Sequence, residues 1–234
     1  MYERESPSMK RNRTLQSTLL ILGTVLMIAA LYLIFVYVPT DKHTGIVQRI
    51  FYFHVPLAWI SFLAFFVVFI CSIIYLRRRT LKWDTFAHAS AEIGILFTTL
   101  VLVTGPIWAK PVWGIWWTWD ARLTATLVLW LVYIAYILVR NYAVTKEQGS
   151  RFAAVVGIVG FVDVPIVFIA VKLWRTQHPS TIVFEGGLTP EMVLTLLVSI
   201  AAFTVLYALL VIQSHSIKCL EGEVDSLSAR RRAE

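Results

Sequence analysis

Five of the nine tryptophans in this 234-residue chain lie within twelve residues, and an acidic and a basic residue follow them almost directly. The stretch runs from Trp108 to Arg122 and reads WAKPVWGIWWTWDAR. Indole rings offer broad apolar faces, whereas the planar guanidinium of Arg122 suits a carboxylate. Residues 108–124, called the tryptophan segment below, therefore predict a shelf for a flat and largely apolar ligand.

Which indole rings lie on the same face of the segment depends on the local backbone conformation. In a helix, four residues would lie on one side, at i, i+3, i+4 and i+7: Trp113, Trp116, Trp117 and Asp120. In an extended chain, three rings would do so instead: Trp113, Trp117 and Trp119. Three residues that break regular structure accompany them: Pro106, Pro111 and Gly114. We expect these residues to produce a shaped shelf instead of a simple helical continuation.

Each of these residues also has a structural alternative. Trp and Tyr concentrate at membrane interfaces, so the rings could form part of an aromatic belt, although a belt would spread them over all helices and both interfaces. Asp120 is placed to cap the N-terminus of a following helix and to complement its dipole. Arg122 could extend its charged end from an apolar surface into water.

Two histidines in aromatic settings add metal-binding chemistry. His54 lies in RIFYFHVP and His178 in WRTQHPS, each at the edge of an apolar stretch. Imidazole is the commonest metal ligand in proteins, and two histidines beside a flat apolar ligand suit haem iron. A histidine at a membrane edge can equally be structural, and zinc is disfavoured because no third or fourth ligand stands near.

The elements that must position these residues are membrane helices. Hydrophobic residues make up 58% of the chain, against about 45–50% in soluble domains. The apolar pattern is continuous without strict alternation, which predicts helices, and each stretch is long enough to cross a hydrocarbon core of ~30 Å. We therefore expect one all-α integral membrane domain, residues 1–234, with six spans at 15–38, 55–76, 86–103, 123–139, 152–171 and 192–212.

The distribution of basic residues predicts the orientation of this domain. Fifteen of the 21 Lys and Arg residues lie in the two termini and in the second and fourth loops, and six lie in the other three loops. The positive-inside rule places both termini, including the tail 213–234, in the cytoplasm. The tryptophan segment and the two aromatic-flanked histidines then lie outside. The net charge of +7 reflects this bias and not a nucleic-acid-binding face.

Several kinds of chemistry are not indicated. The chain has no phosphate-binding loop of the form G-x-x-x-x-G-K-[ST], so any ATP-driven step belongs to another subunit. Cys71 and Cys219 form no C-x-x-C pair, which argues against thiol exchange. We therefore expect a binding and transfer protein and not an enzyme. Glu92 and Asp163 lie within predicted spans, where carboxylates are costly and are functional candidates by default; Asp163 could instead be protonated and hydrogen-bonded to a neighbouring helix.

The sequence WGIWWTWDARLT resembles the signature of the WWD family, the haem-handling membrane proteins of cytochrome c maturation. The resemblance covers essentially the whole chain. Larger members, which act as haem ligases, continue W-D-P-x-E after the tryptophans, whereas ARLT follows here. The chain is also far shorter than a ligase and resembles the six-helix members.

This resemblance implies a haem site at the periplasmic face of a bacterial inner membrane. The implied ligand is haem b, with His54 and His178 as the axial ligands of its iron. The implied platform consists of Trp113, Gly114, Trp116, Trp117, Trp119, Asp120 and Arg122. Haem would pass to a periplasmic haem chaperone of the CcmE type. The other implied partners are an ATP-binding subunit (CcmA-like), a second multi-spanning subunit (CcmB-like) and a small single-helix subunit (CcmD-like).

Two other functions remain open from the sequence. The chain could be a transporter subunit that conducts haem through its own helices, which would require polar residues along several spans. It could also be an electron-transfer subunit, which would favour histidine pairs within the bilayer. Only Glu92 and Asp163 are candidates for polar residues along the spans, which argues against conduction of haem. His54 and His178 lie at the membrane edge and not within the bilayer, which argues against an electron-transfer subunit.

Overall fold

The computed structural model describes residues 7–42, 44–173 and 187–233, and nearly all of them are helical. A π-helical turn, Leu33–Tyr37, continues the first helix, and a 3-10 turn, Ile46–Ile50, leads into the second. Seven α-helices account for most of the remaining residues: α1 (Pro7–Tyr32), α2 (Phe51–Arg78), α3 (Leu81–Trp113), α4 (Ala121–Tyr142), α5 (Lys146–Gly160), α6 (Asp163–Leu173) and α7 (Pro190–Ala233).

Among the described residues, six helical stretches are long and apolar enough to cross a membrane, which confirms the predicted all-α architecture. Most of them extend beyond the predicted apolar cores, because polar residues at their ends continue the helices. The fifth stretch combines α5 with α6. The six stretches are Thr14–Tyr37, Ile46–Arg78, Leu81–Trp113, Ala121–Tyr142, Lys146–Ala170 and Pro190–Arg232.

Helices α2 and α3 form the centre of the bundle. They pack along each other, α2 also contacts α5 and α7, α3 also contacts α4 and α7, and α1 packs against α7. The close approach of α3 to α2 depends on Gly94, because a Cβ atom there would lie 2.6 Å from Cε1 of Phe65. Phe65 in turn stacks on Tyr133 of α4, with ring centroids 3.6 Å apart. Small residues allow such contacts between membrane helices, where lipid leaves little hydrophobic drive for association.

The fifth span is interrupted, which was not predicted. Helix α5 ends at Gly160 and α6 begins at Asp163, with a turn at 161–162 between them. Pro165 accounts for the break, because it has no N–H to donate to the Phe161 carbonyl and its ring would clash with that carbonyl in a continuous helix. Asp163 therefore begins a half-helix instead of lying inside one. Its buried Oδ2 has no hydrogen-bond partner among the residues that the structure describes.

The end of α3 remote from the tryptophan segment is held by a buried ion pair. Asp84, which is 4% exposed, accepts hydrogen bonds from both terminal nitrogens of Arg140 in α4, one of them 2.6 Å long. Its carboxylate also accepts a hydrogen bond of 2.9 Å from the Ser150 hydroxyl in α5. Three elements thus meet at one satisfied carboxylate, and removal of the arginine would leave a buried charge without its partner.

The other acid in α3 is also part of a structural contact. Glu92 forms an ion pair with Lys218 of α7 at 2.8 Å and a contact of 3.1 Å with Nε2 of His88 one turn earlier. This arrangement ties α3 to α7 on the side of the bundle away from the tryptophan segment. Glu92 therefore has a packing role that the sequence did not reveal.

Candidate functional site: an aromatic pocket at the tryptophan segment

The tryptophan segment is helical at its beginning and irregular afterwards. Helix α3 continues through Pro106 and Pro111 to Trp113, so the expectation that these prolines interrupt regular structure is wrong. Membrane helices tolerate proline because neighbouring helices and local adjustments satisfy the carbonyls that it leaves unbonded. The helix ends at Gly114, whose φ of +76° favours glycine and whose N–H donates to the Lys110 carbonyl at 2.9 Å.

Asp120 closes the irregular part of the segment. Its Oδ1 accepts a hydrogen bond of 3.0 Å from the Leu123 N–H, and its Oδ2 accepts one of 3.1 Å from the Thr118 hydroxyl. This confirms the predicted role of Asp120 as the N-cap of α4, where a carboxylate also complements the helix dipole. The cap fixes the direction in which the chain enters α4 and places Arg122 in the first turn.

The segment covers a pocket whose walls come from α2, α3, α4 and α6. The pocket surrounds about 920 Å³ of space not filled by protein, including space open to solvent. Its lining is mainly apolar and aromatic, and Leu129 and Val167 line its inner part within the bundle. Such a surface with a few polar groups is typical of small-molecule sites. Six of the predicted site residues contribute to it: His54, Trp113, Trp116, Trp117, Asp120 and Arg122.

The indole rings are tilted against one another and form a curved surface. Trp108 and Trp113 have ring centroids 5.7 Å apart and an angle of 59° between their planes. Trp117 meets Trp119 edge to face at 5.6 Å. Trp119 is 74% exposed and does not line the pocket. The face that the structure forms thus contains the helical set of rings and not the extended set, although the backbone after Gly114 is not helical.

Two polar groups of the pocket wall have no hydrogen-bond partner in the described part of the chain. The indole nitrogens of Trp108 and Trp117 are buried and have no hydrogen-bond partner within residues 7–42, 44–173 and 187–233. Arg122 lines the same wall, where Asp120 lies close enough for electrostatic interaction. Buried polar groups are normally paired, so the two indole N–H groups indicate room for an acceptor that is not part of the described residues.

His54 is held in one orientation on the α2 side of the pocket. It is 8% exposed, and its Nδ1 lies 2.8 Å from the hydroxyl of Thr104 in α3. That hydroxyl donates its own proton to the Leu100 carbonyl at 2.7 Å, so it accepts a hydrogen bond from Nδ1–H of His54. In the neutral ring the lone pair then lies on Nε2, which is the arrangement that metal-binding histidines commonly have.

Two further predicted site residues are not part of the pocket as the structure describes it. Gly114 is exposed at the end of α3 and does not line the pocket. His178 lies outside the described residues, so its distance from His54 is not defined. The two-histidine arrangement thus stays a prediction.

Two residues of the site were not assigned from the sequence. Trp108 belongs to the predicted segment but was given no role from the sequence, and it lines the pocket from the last turns of α3. Thr104 offered no signal, because it is fifty positions from His54 and only the packing of α2 on α3 brings them together.

Comparisons with known proteins point to one family. The sequence model of the family described as heme exporter protein C, CcmC, matches residues 2–230. Heme exporter protein C of Bradyrhizobium diazoefficiens is 36% identical over 192 residues, which cover 81% of this chain and 73% of the relative. Heme exporter protein C of Escherichia coli K12 is 35% identical over 176 residues, or 75% of this chain and 72% of the relative.

A third relative comes from a plant. The putative cytochrome c biosynthesis ccmC-like mitochondrial protein of Marchantia polymorpha is 35% identical over 158 residues, or 68% of this chain and 67% of the relative. The match of the family model to nearly the whole chain and the extent of these identities lead to one conclusion. The chain is a member of the heme exporter protein C family.

Proposed function

We propose that this protein holds haem in the aromatic pocket at the outer face of the membrane and delivers it to a periplasmic haem chaperone during cytochrome c maturation. The observation that carries the proposal is the position of His54, whose ring is oriented by Thr104 at the wall of a pocket formed by indoles. Membership of the heme exporter protein C family supports a haem-related role in the membrane. Haem b is the proposed form, because it is held by iron ligation and apolar contact without a covalent bond to the protein. The site offers both kinds of contact.

His54 is the proposed axial ligand of the haem iron. With Nδ1–H bound to Thr104, the ring presents a lone pair on Nε2 and has a fixed orientation about its axis. A hydrogen bond to the second ring nitrogen is the usual way in which proteins orient a ligating histidine. The second axial ligand proposed from the family resemblance is His178.

The indoles supply apolar contact with the porphyrin. If each ring shares roughly 100 Å² with the ligand, about half of what an aromatic side chain can bury, the gain is about 2–3 kcal/mol per ring at ~25 cal/mol/Å². The ordering cost of binding reduces this sum. Several such rings hold haem without strong iron ligation, which suits a protein that must later release it.

The hydrogen-bond donors of the pocket wall suit the charged edge of the ligand. Haem carries two propionate carboxylates, and a guanidinium binds a carboxylate in a bidentate manner. Arg122 and the indole N–H groups of Trp108 and Trp117 line the same pocket. We propose that these donors receive the propionates, while Asp120 maintains the local backbone as the cap of α4.

Release requires other proteins. We propose that an ATP-binding subunit, a second multi-spanning subunit and a small single-helix subunit assemble with this chain in the bacterial inner membrane. Binding and hand-over of haem need no covalent catalysis by this chain, so it acts as a carrier and not as an enzyme. ATP then acts through the partner, by releasing the loaded chaperone.

Absorption spectroscopy of the purified protein tests this proposal. The wild type should carry haem with a six-coordinate spectrum. His54→Ala should open one axial position and alter the spectrum, and added imidazole should restore it because the porphyrin still rests on the indoles. His88→Ala is the matched control, since His88 lies at the other end of α3 and contacts Glu92. A normal spectrum and normal haem content in His54→Ala would refute the axial role.

A further inference from the structure

Four helices enclose the aromatic pocket, and three of the four seams between them are closely packed. Helix α2 runs along α3, α3 packs against α4, and α4 packs against α6. Between α6 and α2 the described residues make no comparable backbone contact. On this side, called the α2–α6 seam below, only side chains separate the interior of the pocket from the outside of the bundle.

The break in the fifth span produces this seam. Before the break, α5 lies close to both neighbours. A Cβ atom on Gly157 would lie 2.9 Å from Cγ1 of Val68 in α2, and one on Gly160 would lie 2.5 Å from Cγ1 of Val132 in α4. After the turn at 161–162, α6 stays packed against α4 but no longer runs along α2. The change of direction thus separates the second half of the fifth span from α2.

Two aromatic side chains close the seam. Phe62 of α2 lines the pocket, and its ring lies against that of Phe168 in α6, with ring centroids 4.7 Å apart. Val167, the residue before Phe168, lines the pocket from the α6 side. Phe168 itself is 53% exposed on the surface of a membrane-spanning stretch. The two rings therefore stand between the pocket and the surface that contacts lipid.

The seam lies at the depth of the lipid acyl chains. Phe62 follows His54 by eight residues on α2, which places it about 12 Å further along the helix, away from the mouth of the pocket. The exposed neighbours of Phe168 on α6 are apolar as well, namely Ile166 and Ile169. Polar molecules are costly to place at this depth, whereas a flat apolar ring is not.

We propose that the α2–α6 seam is a lateral portal through which haem dissolved in the bilayer enters the pocket. The portal rests on the proposed function and adds the route by which haem arrives. Most of the porphyrin surface is apolar, so the hydrophobic effect transfers haem from water into a bilayer. Between the acyl chains and the indoles the ring then passes from one apolar environment to another, and it stays out of water throughout.

The polarity of the pocket agrees with lateral entry. Haem in a bilayer directs its propionates towards the headgroups and its apolar edge towards the acyl chains, as other amphipathic groups do. The pocket is arranged in the same way, with Arg122 in the first turn of α4 and Leu129 and Val167 in its inner part. Haem thus enters in the orientation that it already has. The tryptophan segment at the outer end stays available for transfer to the chaperone.

A reversible cross-link across the seam tests the portal. In the full chain with Cys71→Ala and Cys219→Ser, the variants Phe62→Cys and Phe168→Cys are combined and joined by a short bifunctional thiol reagent that a reductant cleaves. The haem-free protein is placed in lipid vesicles that contain haem, and the absorption of bound haem follows uptake. The cross-linked protein should take up haem at least about 10-fold more slowly than the same protein after reduction, because the helices can no longer part.

A cross-link between two other rings is the matched control. Phe69 and Phe161 also have ring centroids 4.7 Å apart, but they join α2 to the turn after α5 and do not line the pocket. Joining Phe69→Cys to Phe161→Cys should leave the uptake rate unchanged. Haem bound before either cross-link is made should keep its spectrum, which shows that the site is intact.

The outcomes separate the portal from the proposed function. Equal uptake rates in the two cross-linked proteins would mean that haem enters from the aqueous side, and they would overturn the portal alone. Loss of bound haem or of its spectrum on cross-linking of the seam would also overturn it, because the seam would then be part of the site. Failure of every variant and of the wild type to bind haem would overturn the proposed function, and the portal with it.

Widening of the seam provides a second test. Phe168→Ala should raise the rates of haem uptake from the bilayer and of haem loss to it by the same factor, and the dissociation constant should not change, because a portal alters the barrier and not the bound state. Phe66→Ala is the control, since Phe66 is 47% exposed on α2 and packs on Phe161 outside the pocket lining. A changed dissociation constant with an unchanged uptake rate would refute the role of Phe168 in the portal.

Discussion

Removal of the Thr104 hydroxyl is the sharpest test of how the pocket controls its histidine. Thr104→Val keeps the shape of the side chain but takes away the acceptor that lies 2.8 Å from Nδ1 of His54. The ring is 8% exposed, so few water molecules can replace that acceptor. In the variant the ring can turn, or its proton can move to Nε2, and it must return to the original state to bind iron.

The size of the effect on haem affinity follows from the Nδ1–H group of His54, which loses its acceptor in Thr104→Val. A buried donor without its acceptor costs about 1–3 kcal/mol, and loss of a second-shell partner weakens metal binding about 10- to 100-fold. At 1.4 kcal/mol per factor of ten these two figures agree. We therefore expect the haem dissociation constant of Thr104→Val to rise about 10-fold or more, with a larger share of five-coordinate haem.

A haem titration followed by absorption in detergent measures both quantities. Thr98→Val is the matched control: Thr98 lines the same pocket, but its hydroxyl donates to the Gly94 carbonyl of its own helix at 2.7 Å. Its haem affinity should change little. If Thr104→Val binds haem with unchanged affinity and spectrum, the hydroxyl does not orient the ligand and the reasoning about the tautomer is wrong.

Three further outcomes are expected. Trp117→Ala should weaken haem binding by about 2–3 kcal/mol in the same titration, and Trp119→Ala should weaken it much less because Trp119 is 74% exposed and lies outside the pocket lining; equal losses would contradict the pocket geometry. Arg140→Leu should lower the free energy of unfolding by about 3–5 kcal/mol in thermal denaturation, because Asp84 is left as a buried charge, and Asp84→Asn in the same chain should recover part of the loss. Ile115→Cys, at an exposed position, should react with a membrane-impermeant thiol reagent added outside the cell, and protection from the reagent would invert the predicted topology.

Much of the site was evident in the sequence because its residues are neighbours in the chain. Trp113, Trp116 and Trp117 lie within five positions, so any compact arrangement of the segment brings them close together. Asp120 stands directly before an apolar helical stretch, and its capping role follows from local chemistry alone. Proline by itself could not have predicted the break before Pro165, since α3 continues through Pro106 and Pro111.

Other features depend on contacts between distant parts of the chain. The sequence could not pair Thr104 with His54 or Asp84 with Arg140, because their separations of fifty and fifty-six positions are bridged only by helix packing. The sequence could not show that Trp119 lies outside the pocket. Extended and helical spacing predicted different sets of rings on one face, and the backbone after Gly114 is not helical.

The sequence by itself determined the six membrane-spanning helices and the local chemistry of the tryptophan segment. Hydrocarbon excludes unpaired backbone groups, so long apolar stretches have to be helical whatever their neighbours are. Only the tertiary structure decided which rings line the pocket, which acids are structural and which side chain orients His54. Those properties depend on the approach of one helix to another, such as α3 to α2 at Gly94, and close packing of that kind is not encoded by hydropathy.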